Sequence, residues 1–347
     1  MSTRPDHSHT RARGVVVPLA SLAIVLSACA PSAPLVVEET FTPTPTHTPV
    51  SGPLTLRTLI DLPPETPELE TIAEAKPVAN ENATEVAYLS GGVRVTAVLR
   101  VPEGEDPFPA VVVVHGSSDP EKYKTGRGLI EEQQAMLASG YAVLAVDLRG
   151  YAGSDAADTE DSLSVDTGFG WKQVLDWGMA LDVRNALRLL RAGQVEEVDP
   201  DRIGLVGHSL GGLLALDAAV IAPEASDIVI GLASAPSDFA QIISGIDDEG
   251  AAALDKFFDG DEAAKAQYWT DVSPATFFDR VDAPLLMIHG SADDDTLPQW
   301  SEQTVAAWAA TGNPAQFVLV DGAGHLFKNH VEEEVGTMIS ALDAVLK

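Results

Sequence analysis

From about residue 84 onward, two kinds of apolar pattern alternate along the chain. Short unbroken apolar runs at 110–114, 142–146, 228–232 and 285–289 predict strands buried on both faces. A strand covered on one face only would alternate apolar with polar. Runs at 202–206 and 316–320 complete the set. Between them, longer stretches with 3–4 spacing predict helices over 129–139, 174–191, 210–221, 300–310 and 332–346, the first closed by Gly140. Segments 85–89 and 93–101 flank Gly91-Gly92 and predict an antiparallel pair at the start. Strands interleaved with helices predict an α/β fold, with a mainly parallel sheet covered on both faces. No internal repeat breaks this pattern, and residues 84–347 read as one domain.

The first 83 residues follow other rules. Arg4, Arg11 and Arg13 precede an apolar stretch over 15–26. Spanning a bilayer takes about 20 apolar residues, so this stretch reads as a secretory signal. It ends Leu26-Ser27-Ala28-Cys29 and resembles a bacterial lipoprotein signal, in which the cysteine becomes the lipidated first residue of the mature chain. That resemblance implies an extracytoplasmic protein held to a bacterial membrane through Cys29 alone. Residues 29–53 then form a Thr/Pro-rich spacer, since each proline removes a donor and favours extended chain. Residues 54–83 are acidic and carry Pro63, Pro64, Pro67 and Pro77; no element is predicted there.

Composition narrows the function classes. The 347 residues are 45% hydrophobic, enough for a sizeable core. Asp plus Glu number 52 against 21 Lys plus Arg, a formal net charge of −31, which argues against nucleic-acid partners. A single Cys excludes an intrachain disulfide and a Cys-rich metal site. No cofactor and no metal is expected.

The chemistry gathers at predicted strand ends. Gly207-His208-Ser209-Leu210-Gly211-Gly212 follows one apolar strand and opens an apolar helix, the setting of a nucleophile elbow. A serine hydroxyl needs a base. Of the eight histidines, His325 lies in Asp321-Gly322-Ala323-Gly324-His325, directly after the last strand, where a loop can carry an imidazole over Ser209. An acid that orients this ring should fall between them in the chain. The loop after 285–289 supplies Asp293, with Asp294 as the alternative. Two N–H donors for an oxyanion are expected from Leu210 and from the turn His115-Gly116-Ser117-Ser118, at Ser117 or else Ser118.

Taken together, residues 84–347 resemble an α/β-hydrolase of the prolyl oligopeptidase and dienelactone hydrolase-like branch. Carrying the resemblance are Val198-Asp199-Pro200-Asp201-Arg202-Ile203 ahead of the elbow, Asp147-Leu148-Arg149-Gly150-Tyr151, Ser273-Pro274 ahead of Pro284-Leu285-Leu286-Met287-Ile288-His289-Gly290, and Gly322-Ala323-Gly324-His325. In that branch the acid stands third after the His-Gly glycine, which implies Asp293. Ser209 stands where dienelactone hydrolases proper carry cysteine, and 54–83 is far too short for an oligopeptidase propeller. A concentration of aromatics over 239–278, among them Phe239, Phe257, Phe258 and Trp269, predicts a small helical cap. Those side chains either line an apolar substrate site or form the cap's own core; Phe169, Trp171 and Trp177 extend the same wall. The expected activity is ester hydrolysis through a Ser-His-Asp triad and an acyl-enzyme. The alternatives are a peptidase or acylaminoacyl hydrolase with the same triad, acting on short peptides, and a non-catalytic binding protein of hydrolase fold.

Overall fold

A computed structural model describes residues 54–156, 178–239, 256 and 258–347 of the chain. The signal and spacer with Cys29, the residues Phe169, Trp171, Trp177 and Phe257, and the predicted helical positions 174–177 lie outside the described residues. So does much of the predicted cap.

Nine strands form one sheet: β1 (Glu70–Glu74), β2 (Glu81–Ser90), β3 (Val93–Pro102), β4 (Phe108–Val114), β5 (Ala142–Val146), β6 (Val198–His208), β7 (Ile228–Leu232), β8 (Leu285–Gly290) and β9 (Ala315–Val320). Their spatial order is β1-β2-β3-β5-β4-β6-β7-β8-β9. The first four of these, up to the β3–β5 contact, pair antiparallel. From β5 to β9 every pairing is parallel. The described helices are α1 (Leu56–Ile60), α2 (Ile130–Ala138), α3 (Gly178–Arg191), α4 (Leu210–Ile221), α5 (Glu262–Val272), α6 (Pro298–Ala309) and α7 (Val331–Leu346). A 3₁₀ segment, Pro274–Arg280, follows α5.

The unbroken apolar run of β4 has the cause the sequence implies. Successive strand residues point to opposite faces. Ala110, Val112 and Val114 join a core built with α3 and α4, while Val111 and Val113 join a second core with Met136 of α2 and Met338, Leu342 and Leu346 of α7. With all seven β4 residues buried, the strand has no solvent face to mark with polar side chains.

The structure adds elements where the sequence predicts none. Leu54, Leu56 and Leu59 are buried in the larger core, and Thr55 caps α1 through a reciprocal bond with Thr58. Strand β1 extends the sheet by pairing with β2. The folded unit therefore reaches back to Leu54, some thirty residues before the boundary expected at 84.

Candidate active site

The loops that leave β4, β6, β8 and β9 carry every side chain the sequence singles out for chemistry. Ser209 follows β6 at φ 56° and ψ −120°, a conformation a non-glycine residue holds only when its surroundings over-determine it. The Ser209 N–H donates to the Leu232 carbonyl at 2.9 Å, and the Ser209 carbonyl accepts from Gly212 at 3.0 Å and Ala235 at 3.1 Å. A Cβ at Gly207 would collide with the Gly211 carbonyl, and one at Gly211 with the Val114 carbonyl. The spacing Gly-x-Ser-x-Gly is thus a packing requirement of this turn as well as a motif.

Asp293 and His325 meet. The His325 Nδ1 lies 2.9 Å from Asp293 Oδ2. The other carboxylate oxygen, Oδ1, accepts from the N–H groups of Asp295 and Thr296, each at 3.0 Å. Burial pushes the Asp293 carboxyl up, but the His325 and Thr296 hydrogen bonds outweigh it and hold the group below the usual carboxylate range. Asp293 is buried, whereas Asp294 is exposed, which separates the two acids that the loop offers.

His208, next to Ser209 in the chain, is tied to the same loop. Its Nε2 is 2.8 Å from the His325 carbonyl, and since a carbonyl only accepts, Nε2 carries the proton. Burial lowers the His208 pKa to about 4, so the ring is neutral at ordinary pH. The two rings sit 4.7 Å apart. This contact brings the His325 loop onto the elbow. Ser209 Oγ makes no hydrogen bond to a described residue; such bonds often tighten only when substrate is bound.

The turn after β4 also reaches the elbow: a Cβ at Gly116 would lie 3.0 Å from the Ser209 Cβ. His115 Nδ1 is 2.8 Å from the Gly116 carbonyl, and its Nε2 accepts from the Leu148 N–H at 3.3 Å. Burial holds this imidazole neutral, with its pKa lowered to about 4. Carbonyl and N–H of one peptide unit point in opposite directions, so fixing the Gly116 carbonyl on His115 aims the Ser117 N–H the other way. Neither that N–H nor the Leu210 N–H, the first of α4, donates to a described residue. Tyr123 and Tyr151 pack on the His115 ring at 4.2 and 4.7 Å, and the Tyr151 hydroxyl donates to the Ser118 carbonyl. The Asp147–Tyr151 stretch serves the scaffold, because Arg149 is buried in a two-pronged bond with Asp182.

The aromatic positions divide. Phe239 is 1% exposed and stacks on Trp269 with ring centres 6.1 Å apart, so it stands in the core behind the wall rather than on it. Phe258 is half-buried against Tyr268. Trp269, with Asp238, Thr270 and Thr276, lines an open pocket of about 460 Å³. Asp293, Asp295 and His325 place ligand atoms within 4.8 Å of one another, the spacing a cation would need. Two of those atoms are already hydrogen-bonded to each other.

Two further residues at this site receive no role from the sequence: Thr296 belongs to no motif, and His289 enters only through the His-Gly pair that closes its strand. Both reach Asp293. The Thr296 hydroxyl lies 2.9 Å from Asp293 Oδ2, and His289 Nε2 lies 3.0 Å from the same oxygen.

Comparison with known proteins gives the class. The alpha/beta hydrolase family model matches residues 111–334, more than half of the chain, and the protein belongs to that family. Among its relatives is the uncharacterized peptidase YuxL of Bacillus subtilis, 26% identical over 254 residues, which cover 70% of this chain and 35% of that protein. The chain therefore spans about a third of the length of this relative. Among solved structures, an acylaminoacyl peptidase aligns at TM-score 0.59 and 21% identity, covering 77% of this chain and 42% of that one. An acetyl xylan esterase from Paenibacillus sp. R4 aligns at TM-score 0.60 and 21% identity, covering 84% of this chain and 92% of its own. The structural likeness establishes the α/β-hydrolase fold.

Proposed function

We propose that the protein is a serine hydrolase of carboxylic esters. Ser209 is the nucleophile, His325 takes its proton, and Asp293 holds the imidazole in the tautomer with its proton on Nδ1. The Ser117 and Leu210 N–H groups receive the oxyanion. Attack by Ser209 Oγ on the carbonyl carbon forms a tetrahedral intermediate. His325 then protonates the leaving alcohol as the acyl-enzyme forms, and water releases the acid by the same steps. The observation that carries this reading is the Asp293–His325 hydrogen bond, tied through the His208 contact to an elbow whose serine holds a strained backbone. Esterases stand among the proteins the chain resembles, which supports an ester substrate.

A peptidase or acylaminoacyl hydrolase with the same residues is the second reading, favoured by the peptidases among the relatives. Initial rates decide between them, measured with p-nitrophenyl esters of rising acyl length beside aminoacyl and acylated dipeptide arylamides. Ester turnover that vanishes in Ser209→Ala supports the esterase; dominant arylamide turnover replaces it with the peptidase. We also propose that Cys29 carries the lipid that anchors the domain outside the cytoplasm. Metabolic labelling with an alkynyl fatty acid, present in the wild type and lost in Cys29→Ala, tests it.

A further inference from the structure

His289 and Thr296 lie outside the proposed triad, yet their hydrogen-bonding groups converge on its acid. The His289 side chain has no solvent exposure. Its Nδ1 is 2.7 Å from the Ser301 hydroxyl, and its Nε2 is 3.0 Å from both the Thr296 carbonyl and Asp293 Oδ2. Neither of the last two oxygens can donate when Asp293 is ionised, so the proton must sit on Nε2. Nδ1 is then an acceptor, and the Ser301 hydroxyl donates to it. One neutral tautomer satisfies all three contacts. Burial, the largest influence, favours that uncharged ring, and the neighbouring His325 also disfavours charging it.

Thr296 works on the same oxygen from the other side. Its hydroxyl is 2.9 Å from Asp293 Oδ2 and 2.9 Å from the Ala233 carbonyl, and 3.2 Å from His325 Nδ1. Ala233 sits at φ 44°, another strained residue at the site. The Asp293 carboxylate is thus held on Oδ1 by two backbone N–H groups and on Oδ2 by His325, with the Thr296 hydroxyl, shared with the Ala233 carbonyl, and His289 Nε2, hydrogen-bonded to the Thr296 carbonyl, both within 3.0 Å of that oxygen.

We propose that His289 and Thr296 are positioning residues for Asp293, a role that rests on the triad reading above. His289, its tautomer fixed by the Thr296 carbonyl and satisfied on Nδ1 by Ser301, shares its Nε2–H between that carbonyl and Oδ2. This fixes the rotation of the carboxylate about its Cβ–Cγ bond, so that Oδ2 faces His325 Nδ1. It also withdraws part of the carboxylate charge from His325. The charged and titratable groups that face this ring are Asp293 and His325, with His208 beyond His325.

The test is the pH dependence of kcat and kcat/KM for His289→Leu, His289→Gln and Ser301→Ala, with Ser209→Ala as the reference. Glutamine can place an N–H near the position of Nε2, whereas leucine cannot. In His289→Leu, kcat is expected to fall about ten- to a hundredfold with KM nearly unchanged, because the base is held less well. The acidic limb of kcat/KM should move to higher pH by about half a unit to one unit, since the carboxylate acts on His325 with more of its charge. His289→Gln should recover most of the rate and return the limb towards the wild-type position. Ser301→Ala should shift both in the same direction by less, and it carries the test if His289→Leu does not fold. The proposal is overturned if the limb stays in place in these variants, or if His289→Gln is as slow as His289→Leu. Turnover that survives in Ser209→Ala would instead overturn the triad itself, whatever the His289 variants do.

Discussion

Asp293 and Asp217 are both buried aspartates close to the elbow in sequence or space, and they have opposite fates. Asp293 gathers hydrogen bonds from two backbone N–H groups, a threonine and His325, with His289 Nε2 3.0 Å away, and its carboxyl is held below the usual range in spite of burial. Asp217, two turns into α4, is fully buried, and neither of its oxygens has a hydrogen-bond partner among the described residues. Burial alone pushes its carboxyl well up. Glu334 at the start of α7 repeats the second case: both oxygens lack partners among the described residues, and burial, with the Glu132 charge adding to it, raises the pKa to about 8. The difference shows that burial does not decide the charge of a carboxyl here. Donors do, and they are concentrated where ionisation is useful.

The sharpest way to break this comparison is Asp293→Asn. The amide keeps the shape but cannot hold the imidazole in the working tautomer, and kcat is expected to fall by roughly 10⁴. Retention of most activity would mean that the network around Asp293 serves stability only. Two stability effects come next, the first in Asp217→Ala. Removing a desolvated, unpartnered carboxyl from α4 should raise stability by ~1–2 kcal/mol in urea unfolding, with kcat unchanged. Destabilisation there would show that Asp217 has a partner of its own, such as a buried water.

Glu334 sharpens the contrast through pH. A carboxyl with a raised folded-state pKa favours folding at low pH; that contribution is lost as pH climbs from its unfolded value of 4.5 through about 8. Glu334→Gln should therefore match the wild type near pH 5 and exceed it at pH 9, by ~1–3 kcal/mol. Thermal melts across that range check it, and a constant difference would contradict the assignment. The smallest effect belongs to Thr296→Val. Loss of one donor to Oδ2 is expected to cost about three- to tenfold in kcat, corresponding to ~0.5–1.5 kcal/mol, with the fold intact by circular dichroism.

Much of this layout is legible in the sequence because its signals are local. The runs at 142–146 and 228–232 and the helix at 210–221 coincide with β5, β7 and α4. Each is buried on all sides, so its composition alone marks it. The elbow is legible because its residues fall within one short strand-to-helix turn, although the contact that excludes a side chain at Gly211 is with Val114 of β4. Strand β1 carries no such mark, since all five of its residues are exposed at the sheet edge. Helix α1 is one turn and a half, too short for a period, and only Leu56 and Leu59 anchor it. Three glutamates in the first turn of α7 look like complements to the helix dipole, and only the packing of α7 against α2 shows that Glu334 turns inward. The roles of Thr296 and His289 are not legible, because their partners are set by how β8, β9 and the intervening loops come together, and no spacing in the chain records that.

The central claim is that Ser209 is a nucleophile driven by His325 and Asp293. The most direct measurement is covalent trapping with a fluorophosphonate, followed by peptide mass spectrometry on the intact domain. The expected result is one phosphonyl adduct, on the peptide carrying Ser209, formed rapidly in the wild type and far more slowly in His325→Ala and Asp293→Asn. A folded protein that takes no label, or one labelled equally well without His325, would contradict it.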